Sequence, residues 1–367
     1  MTEPAPIGVA VLSAVRHAGS YLPLLAARAD VRLVAIGEEA DAPAWAHADA
    51  RVLGDRFGIP VIDAASALAS PDVELVLVCS EPTRHARLAE RALLAGKHVI
   101  VDKPMATTLD DCARLAAVVA TASGRFTVMH RLFSPAIQRA RAAIAAGYLG
   151  LVRSIDVEWL ASDGLSGQAV ERPEFVADPA LSGGGEMMNF LVYPVAYVRY
   201  LTGLEIDEVY AEAGTYFFEP HRRFGVEDLA ILSLRLEHDV VATVTVGRVP
   251  QAPSAGPLGS TLRLIGSHGH LTVDEQQPAL EVWGHAETER RKRTIGGDPG
   301  THAVARVVAE FLRDIREERA PLFGVDDGWA TIAAIEAAYR AVATGQPAVP
   351  AERRVEVDRP RTGARAG

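Results

Sequence analysis

The chain has 367 residues, 49% hydrophobic and 23% charged, which excludes general disorder and a small stapled scaffold and allows two cores. With 37 Lys and Arg against 47 Asp and Glu, its formal net charge of -10 repels a phosphate backbone and argues against nucleic acid as a partner. Cys79 and Cys112 stand apart with no CxxC or Cys/His ligand spacing, so neither a disulfide framework nor a metal site is expected. The first residues, Met1 to Pro4, lack a basic n-region and an apolar stretch, and no apolar run nears the ~20 residues of a membrane span. A cytoplasmic protein without a membrane partner is expected.

From Ile7 to Val128, short β-branched runs alternate with alanine- and leucine-rich stretches of helical period, the pattern of repeated βαβ units. Strands are predicted at Ile7–Leu12, Arg32–Ile36, Glu74–Cys79, His98–Val101 and Phe126–Met129, rich enough in Val, Ile and Leu to be buried on both faces. Thr108 to Asp111 resembles a capping box with Asp in the Glu role, opening a helix that runs to about Ala122. After Gly150 period two takes over. Ile155, Val157 and Trp159 alternate with Asp156 and Glu158, and Leu232, Leu234 and Leu236 with Ser233, Arg235 and Glu237. Val240–Val246, Thr261–Leu264 and Leu271–Val273 continue the theme, which predicts an antiparallel or mixed sheet. Helices return at Ala303–Glu317 and Trp329–Ala343, and the polar, Arg- and Pro-rich Glu352–Gly367 is expected to be a disordered tail. The fold class is therefore α/β. A Rossmann-type parallel sheet fills 1–128, a C-terminal α+β domain on an open, mostly antiparallel mixed sheet fills 129–351, and 352–367 is the tail.

The turn after the first strand reads Leu12-Ser13-Ala14-Val15-Arg16-His17-Ala18-Gly19. A turn that binds pyrophosphate wants glycines for tightness and close backbone approach, ahead of a helix N-terminus. Those positions hold Ser13, Val15 and Ala18, and the β-branched Val15 is the serious departure. A strand–helix turn that binds no nucleotide is the alternative here. The second strand leads into Glu38, placed where a ribose 2′-hydroxyl would be bonded and a 2′-phosphate repelled, which favours NAD over NADP.

Three further stretches are more specific: Cys79-Ser80-Glu81-Pro82-Thr83-Arg84-His85, Ala95-Gly96-Lys97-His98-Val99 and Val101-Asp102-Lys103-Pro104. With Arg131-Leu132-Phe133-Ser134-Pro135, the Asp178–Gly185 segment and Ile335–Tyr339 before Gly345, they resemble the glucose-fructose oxidoreductase, inositol dehydrogenase and rhizopine-catabolism (Gfo/Idh/MocA) family. The resemblance implies NAD(P)-linked hydride transfer to or from a sugar, cyclitol or related polyol, in a homo-oligomer, dimer or tetramer. It also implies that Ser13, Val15, His17, Ala18, Glu38, Ser80, Pro82, His85, Asp102 and Lys103 surround the cofactor, His85 in a structural role or at the cofactor end of the cleft. The family's Glu-Lys-Pro motif falls on Asp102, Lys103 and Pro104, with Lys103 beside the nicotinamide and the reacting hydroxyl.

The family's acid/base Asp and His fall on Asn189 and Tyr193. Asn189 cannot accept a proton, so Tyr193 is expected to take it, with Lys103 as activator and Asn189 orienting the substrate. Pro194 predicts a kink beside Tyr193. His130 and Arg131, after the last parallel strand, are expected to bind substrate, an interdomain salt bridge being the other reading of Arg131. Residues that read the substrate are expected on the loop Ser162–Val176. Two alternatives remain: a cofactor-binding or sensing homologue without turnover, and a redox-assisted lyase or glycosidase.

Overall fold

The computed structural model describes residues 5–162, 172–250, 258–275, 279–284, 287–294 and 299–352. Residues 353–367 of the expected tail, and 163–171 of the loop Ser162–Val176 expected to read the substrate, lie outside these residues. The first sheet contains β1 (Ile7–Leu12), β2 (Val31–Glu38), β3 (Val61–Asp63), β4 (Leu75–Val78), β5 (His98–Val101) and β6 (Phe126–Val128). Its spatial order is β3-β2-β1-β4-β5-β6 and every pairing is parallel. All six residues of β1 are buried, as its unbroken apolar sequence requires. The order reverses between β1 and β4, so a crevice opens beyond their carboxyl ends.

The second sheet contains β7 (Val152–Ser162), β8 (Ile206–Gly214), β9 (Leu229–Leu236), β10 (Val240–Val249), β11 (Leu258–Gly266), β12 (Gly269–Asp274), β13 (Ala279–Gly284) and β14 (Glu287–Thr294). The order is β14-β13-β12-β11-β7-β10-β9-β8, with only β7 and β10 parallel. Period-two alternation decides which face is covered: Leu232, Leu234 and Leu236 are buried while Ile231, Ser233 and Arg235 face outward. The hairpin between β9 and β10 turns through His238 and Asp239, at φ 60° and 56°.

Two C-terminal helices tie the sheets together. Pro299–Arg316 lays Val307, Val308, Phe311 and Leu312 against Ile7, Val9 and Leu22, completing the core of the first sheet from far along the chain. Each such burial is worth about 1.5–3 kcal/mol. Val325–Thr344 buries Ile332, Ile335 and Ala338 in one core with Leu115 and Leu234. The cap expected at Thr108 is present: its Oγ1 accepts from the Asp111 amide at 3.1 Å, opening the helix Leu109–Thr121.

Candidate active site between the two sheets

The first turn keeps the tightness of a nucleotide loop without its glycines. Ser13 and His17 occupy the left-handed region at φ 59° and 51°, conformations that cost non-glycine residues about 1–3 kcal/mol each. Hydrogen bonds hold them there. Ser13 donates its amide to Gly37 and its hydroxyl to Glu38 Oε2 at 2.6 Å, while the amides of Val15 and Arg16 both donate to the Cys79 carbonyl. The helix consequently starts only at Ala18. The Val15 side chain is 1% exposed and packs with Trp45, Ala46 and Phe175, so an apolar cluster spanning both halves of the molecule takes it up.

Glu38 is buried at the end of β2. Besides Ser13, it accepts from Arg84 Nη1 at 2.9 Å, and Arg84 also bonds Glu39 and Glu81. Ser80 donates to the Glu81 carbonyl and Pro82 opens a short 3-10 turn. His85 is fully buried, with Nδ1 2.6 Å from the Pro104 carbonyl and Nε2 2.9 Å from that of Ser80. It braces the turns after β4 and β5 against each other, and its burial pushes its pKa down.

Beyond β5, Asp102, Lys103 and Pro104 project into the crevice, and the Lys103–Pro104 peptide is cis. Lys103 Nζ donates to the Asn189 carbonyl at 2.8 Å and to Asn189 Oδ1 at 2.6 Å. Burial, reinforced by Arg16, holds its ammonium well below the usual lysine range. The Asn189 amide has one orientation because its Nδ2 donates to Glu186 Oε2 at 2.8 Å, leaving Oδ1 for Lys103 and for Arg16 Nη2 at 3.3 Å. Glu186 is fully buried. Burial alone would raise its pKa, but Arg248 Nε at 2.6 Å and His221 at 3.2 Å, with Asn189, hold it down to about 2.

Tyr193 stacks on Trp159 with centroids 4.3 Å apart, and Lys103 Nζ lies 5.3 Å from its ring centroid rather than on its hydroxyl. Burial pushes the phenol well above its ordinary value. The kink expected at Pro194 takes the form of a break at Leu191 between the helices Glu186–Phe190 and Val192–Thr202. Pro194 therefore lies in a first turn, where its missing N–H has no helical partner to lose.

Of the two readings made of Arg131, a salt bridge is present. Its Nε donates to Glu275 Oε1 at 3.0 Å, while Nη2 is buried without a hydrogen-bond partner among the described residues. Glu275 also accepts from Tyr197 at 2.7 Å and Ser260 at 3.0 Å. His130 accepts from the Leu132 amide, and burial takes its pKa down to about 3, so its ring is neutral. Together with His17, Tyr21, Tyr193 and Val304, these residues line a cavity of about 210 Å³. His17 Nδ1 is 2.6 Å from Asp102 Oδ2, and Tyr21 donates to Asp102 Oδ1 at 2.8 Å.

Sequence reasoning missed Arg16, Tyr21, Arg84, Glu186, Arg248 and Glu275. Tyr21 was within reach, four residues after His17 in the first turn of the helix that follows it. Arg84 and Glu186 also have partners three positions away, Glu81 and Asn189, but the pairings that build the site span as many as 173 positions, as that of Arg16 with Asn189 does. Among the described residues no His, Cys, Asp or Glu cluster suits a metal ion, and no helix is long and apolar enough to cross a membrane.

A parallel sheet of this order, with a lysine at the end of β5 meeting Asn189 on a helix beside the mixed second sheet, defines a Rossmann-type α/β protein. Residues 9–130 match the model described as "Oxidoreductase family, NAD-binding Rossmann fold", and residues 137–272 the "GFO/IDH/MocA C-terminal domain". The chain belongs to the Gfo/Idh/MocA oxidoreductase family.

Among its relatives is the 1-carboxy-3-chloro-3,4-dihydroxycyclohexa-1,5-diene dehydrogenase of Comamonas testosteroni, 45% identical over 62% of this chain and 51% of that one. Another is the inositol 2-dehydrogenase of Rhizobium meliloti, 26% identical over 91% and 96%. The chain spans only 51% of the first relative's length, and 60% of an uncharacterised oxidoreductase of Bacillus subtilis that is 23% identical over 59% of this chain. The aldose-aldose oxidoreductase of Caulobacter crescentus, solved with glycerol, is similar at TM-score 0.77 and 26% identity, covering 94% of this chain and 99% of that one.

The donor set fits a nicotinamide dinucleotide in kind, with an acid at the end of β2 and a lysine at the end of β5. At the adenosine end, however, the oxygens of Glu38 are already engaged by Ser13 and Arg84, so a ribose competes with the chain's own groups.

Proposed function

We propose that the protein is an NAD-linked dehydrogenase of a ring-hydroxylated substrate that carries a carboxylate. The observation that carries this reading is the meeting of Lys103 with Asn189 beside a cavity lined by Arg131, whose Nη2 is buried and has no hydrogen-bond partner among the described residues. A buried guanidinium nitrogen without an acceptor is costly, and a carboxylate is its best geometric match. The name of the Comamonas relative combines a ring diol with such a carboxylate.

Lys103 Nζ holds Asn189 in place, the phenol of Tyr193, which stays protonated, is the donor that orients the substrate oxygen, and the position between the domains keeps water away. The nicotinamide, when bound, supplies the hydride acceptor. Glu38 and Glu39 at the end of β2 disfavour a 2′-phosphate, which supports NAD over NADP. The outward Ile231 and Val241 of the second sheet, 57% and 50% exposed, support a homo-oligomer that covers this face.

The test is titration with NADH followed by fluorescence, then a panel of cyclic diols with and without a carboxylate, read as absorbance growth at the NADH band. Oxidation of the carboxylated members is expected, with the preference lost in Arg131→Met. No NADH binding at millimolar concentration refutes the proposal. Val15, packed on Phe175, favours a binding-only reading, and NADH binding without turnover across the panel would establish it.

A further inference from the structure

We infer that His17, held by Asp102, is the proton acceptor of this site, an inference that rests on the dehydrogenase reading above. The positions where the family keeps its acid and base offer no base here. Asn189 is an amide, the Tyr193 phenol is held protonated, Lys103 Nζ is turned onto two Asn189 oxygens and does not line the 210 Å³ cavity, and His130 Nδ1 is used by a backbone amide. His17 stands apart from these. Its side chain is 29% exposed and lines the 210 Å³ cavity with Tyr193 and Arg131, which would hold a hydroxyl and a carboxylate.

Asp102 determines how the imidazole presents itself. The carboxylate is fully buried, and Oδ1 accepts from the Tyr21 hydroxyl at 2.8 Å and from the Lys103 amide at 2.9 Å. Burial would raise its pKa, but His17, His85 and Arg16 keep it well below the usual carboxylate range. Being ionised it has no proton to give, so His17 Nδ1 must be the donor in the 2.6 Å contact. In the neutral ring the lone pair then lies on Nε2, which makes no hydrogen bond among the described residues. A base oriented by a second group that also steadies its protonated form is the arrangement acid–base catalysis needs. The left-handed backbone of His17, with no cap bond from its side chain, is strain kept at this point and offset by the Asp102 contact.

The step balances. The carbinol O–H breaks as Nε2–H forms, the C=O bond forms, and the C–H electron pair leaves as hydride to the oxidised nicotinamide named in the proposal above. The proton then passes to solvent from the exposed edge of the ring.

The experiment has two arms. In ¹⁵N-histidine NMR of the protein, the His17 signal, assigned by its loss in His17→Asn, is expected to report the Nδ1–H tautomer, and Asp102→Asn to remove that preference. An Nε2–H tautomer overturns the inference. In the second arm His17→Asn, whose amide can still donate to Asp102, is expected to bind NADH within about threefold of wild type. Its kcat should fall about a hundred- to ten-thousand-fold. Free imidazole should restore part of the rate in His17→Gly. A kcat within a few-fold of wild type overturns the base role alone, whereas a wild-type protein that turns over nothing overturns the dehydrogenase reading and the base role with it.

Discussion

Replacing Glu186 by Gln tests how the site is held together. Glu186 is 0% exposed and accepts from Arg248, His221 and Asn189, so every oxygen lone pair that matters is directed at a donor. A carboxyl that ionises at about 2 in the folded chain, against its ordinary 4.5, contributes about 3 kcal/mol above pH 4.5, lost as pH falls towards 2. Glutamine removes that contribution and turns an NH₂ towards either Asn189 Nδ2 or Arg248 Nε, a clash of donors in both cases. Breaking the buried Glu186–Arg248 ion pair costs about 3–5 kcal/mol at pH 7. If Asn189 yields by turning its amide, Nδ2 faces Lys103 and the bonds to Lys103 Nζ and Arg16 are lost.

The assay is urea denaturation of both proteins at intervals from pH 7 to pH 3. The stability gap should be widest at neutrality and narrow by a large part of that 3 kcal/mol as pH falls. A gap that does not change with pH would mean that Glu186 has the same pKa in the folded and unfolded chain, and the reasoning would fail.

Phe175→Ala removes the ring between Val15 and Trp45. It should cost about 3–5 kcal/mol in denaturation and tighten NADH binding by loosening the first turn, and unchanged affinity in the fluorescence titration would count against that link. Lys103→Met concerns pH. Because the folded chain holds this lysine below its ordinary 10.5, stability should rise with pH up to that value in the wild type, and the rise should be absent from the variant's denaturation series. Tyr193→Phe should keep NADH affinity and lower kcat/KM about tenfold, the effect of a lost orienting donor. A loss as large as that of a missing base would restore Tyr193 as the acceptor.

The parallel half was legible because buried parallel strands are written as continuous apolar runs: Ile7–Leu12 and His98–Val101 were placed to the residue. β3 escaped because three residues at a sheet edge make no run, and β8 because Asp207, Glu208 and Glu212 interrupt its apolar residues. In the site, Lys103 and Asn189 were legible from their places in a motif, and they do meet. The activation of the Tyr193 hydroxyl by Lys103 was not to be had from spacing, since the break at Leu191 and the stack on Trp159 decide where the phenol goes. His17 was visible in the first turn, but its partner Asp102 lies 85 positions away, and only the fold brings the two together.

The helix Pro299–Arg316 bears on how the chain is made. The first sheet is sealed by a helix that begins only at Pro299, so Ile7, Val9 and Leu22 wait without their cover until that segment has been made. A copy cut short before residue 299 is left with an uncovered apolar flank rather than a smaller working module.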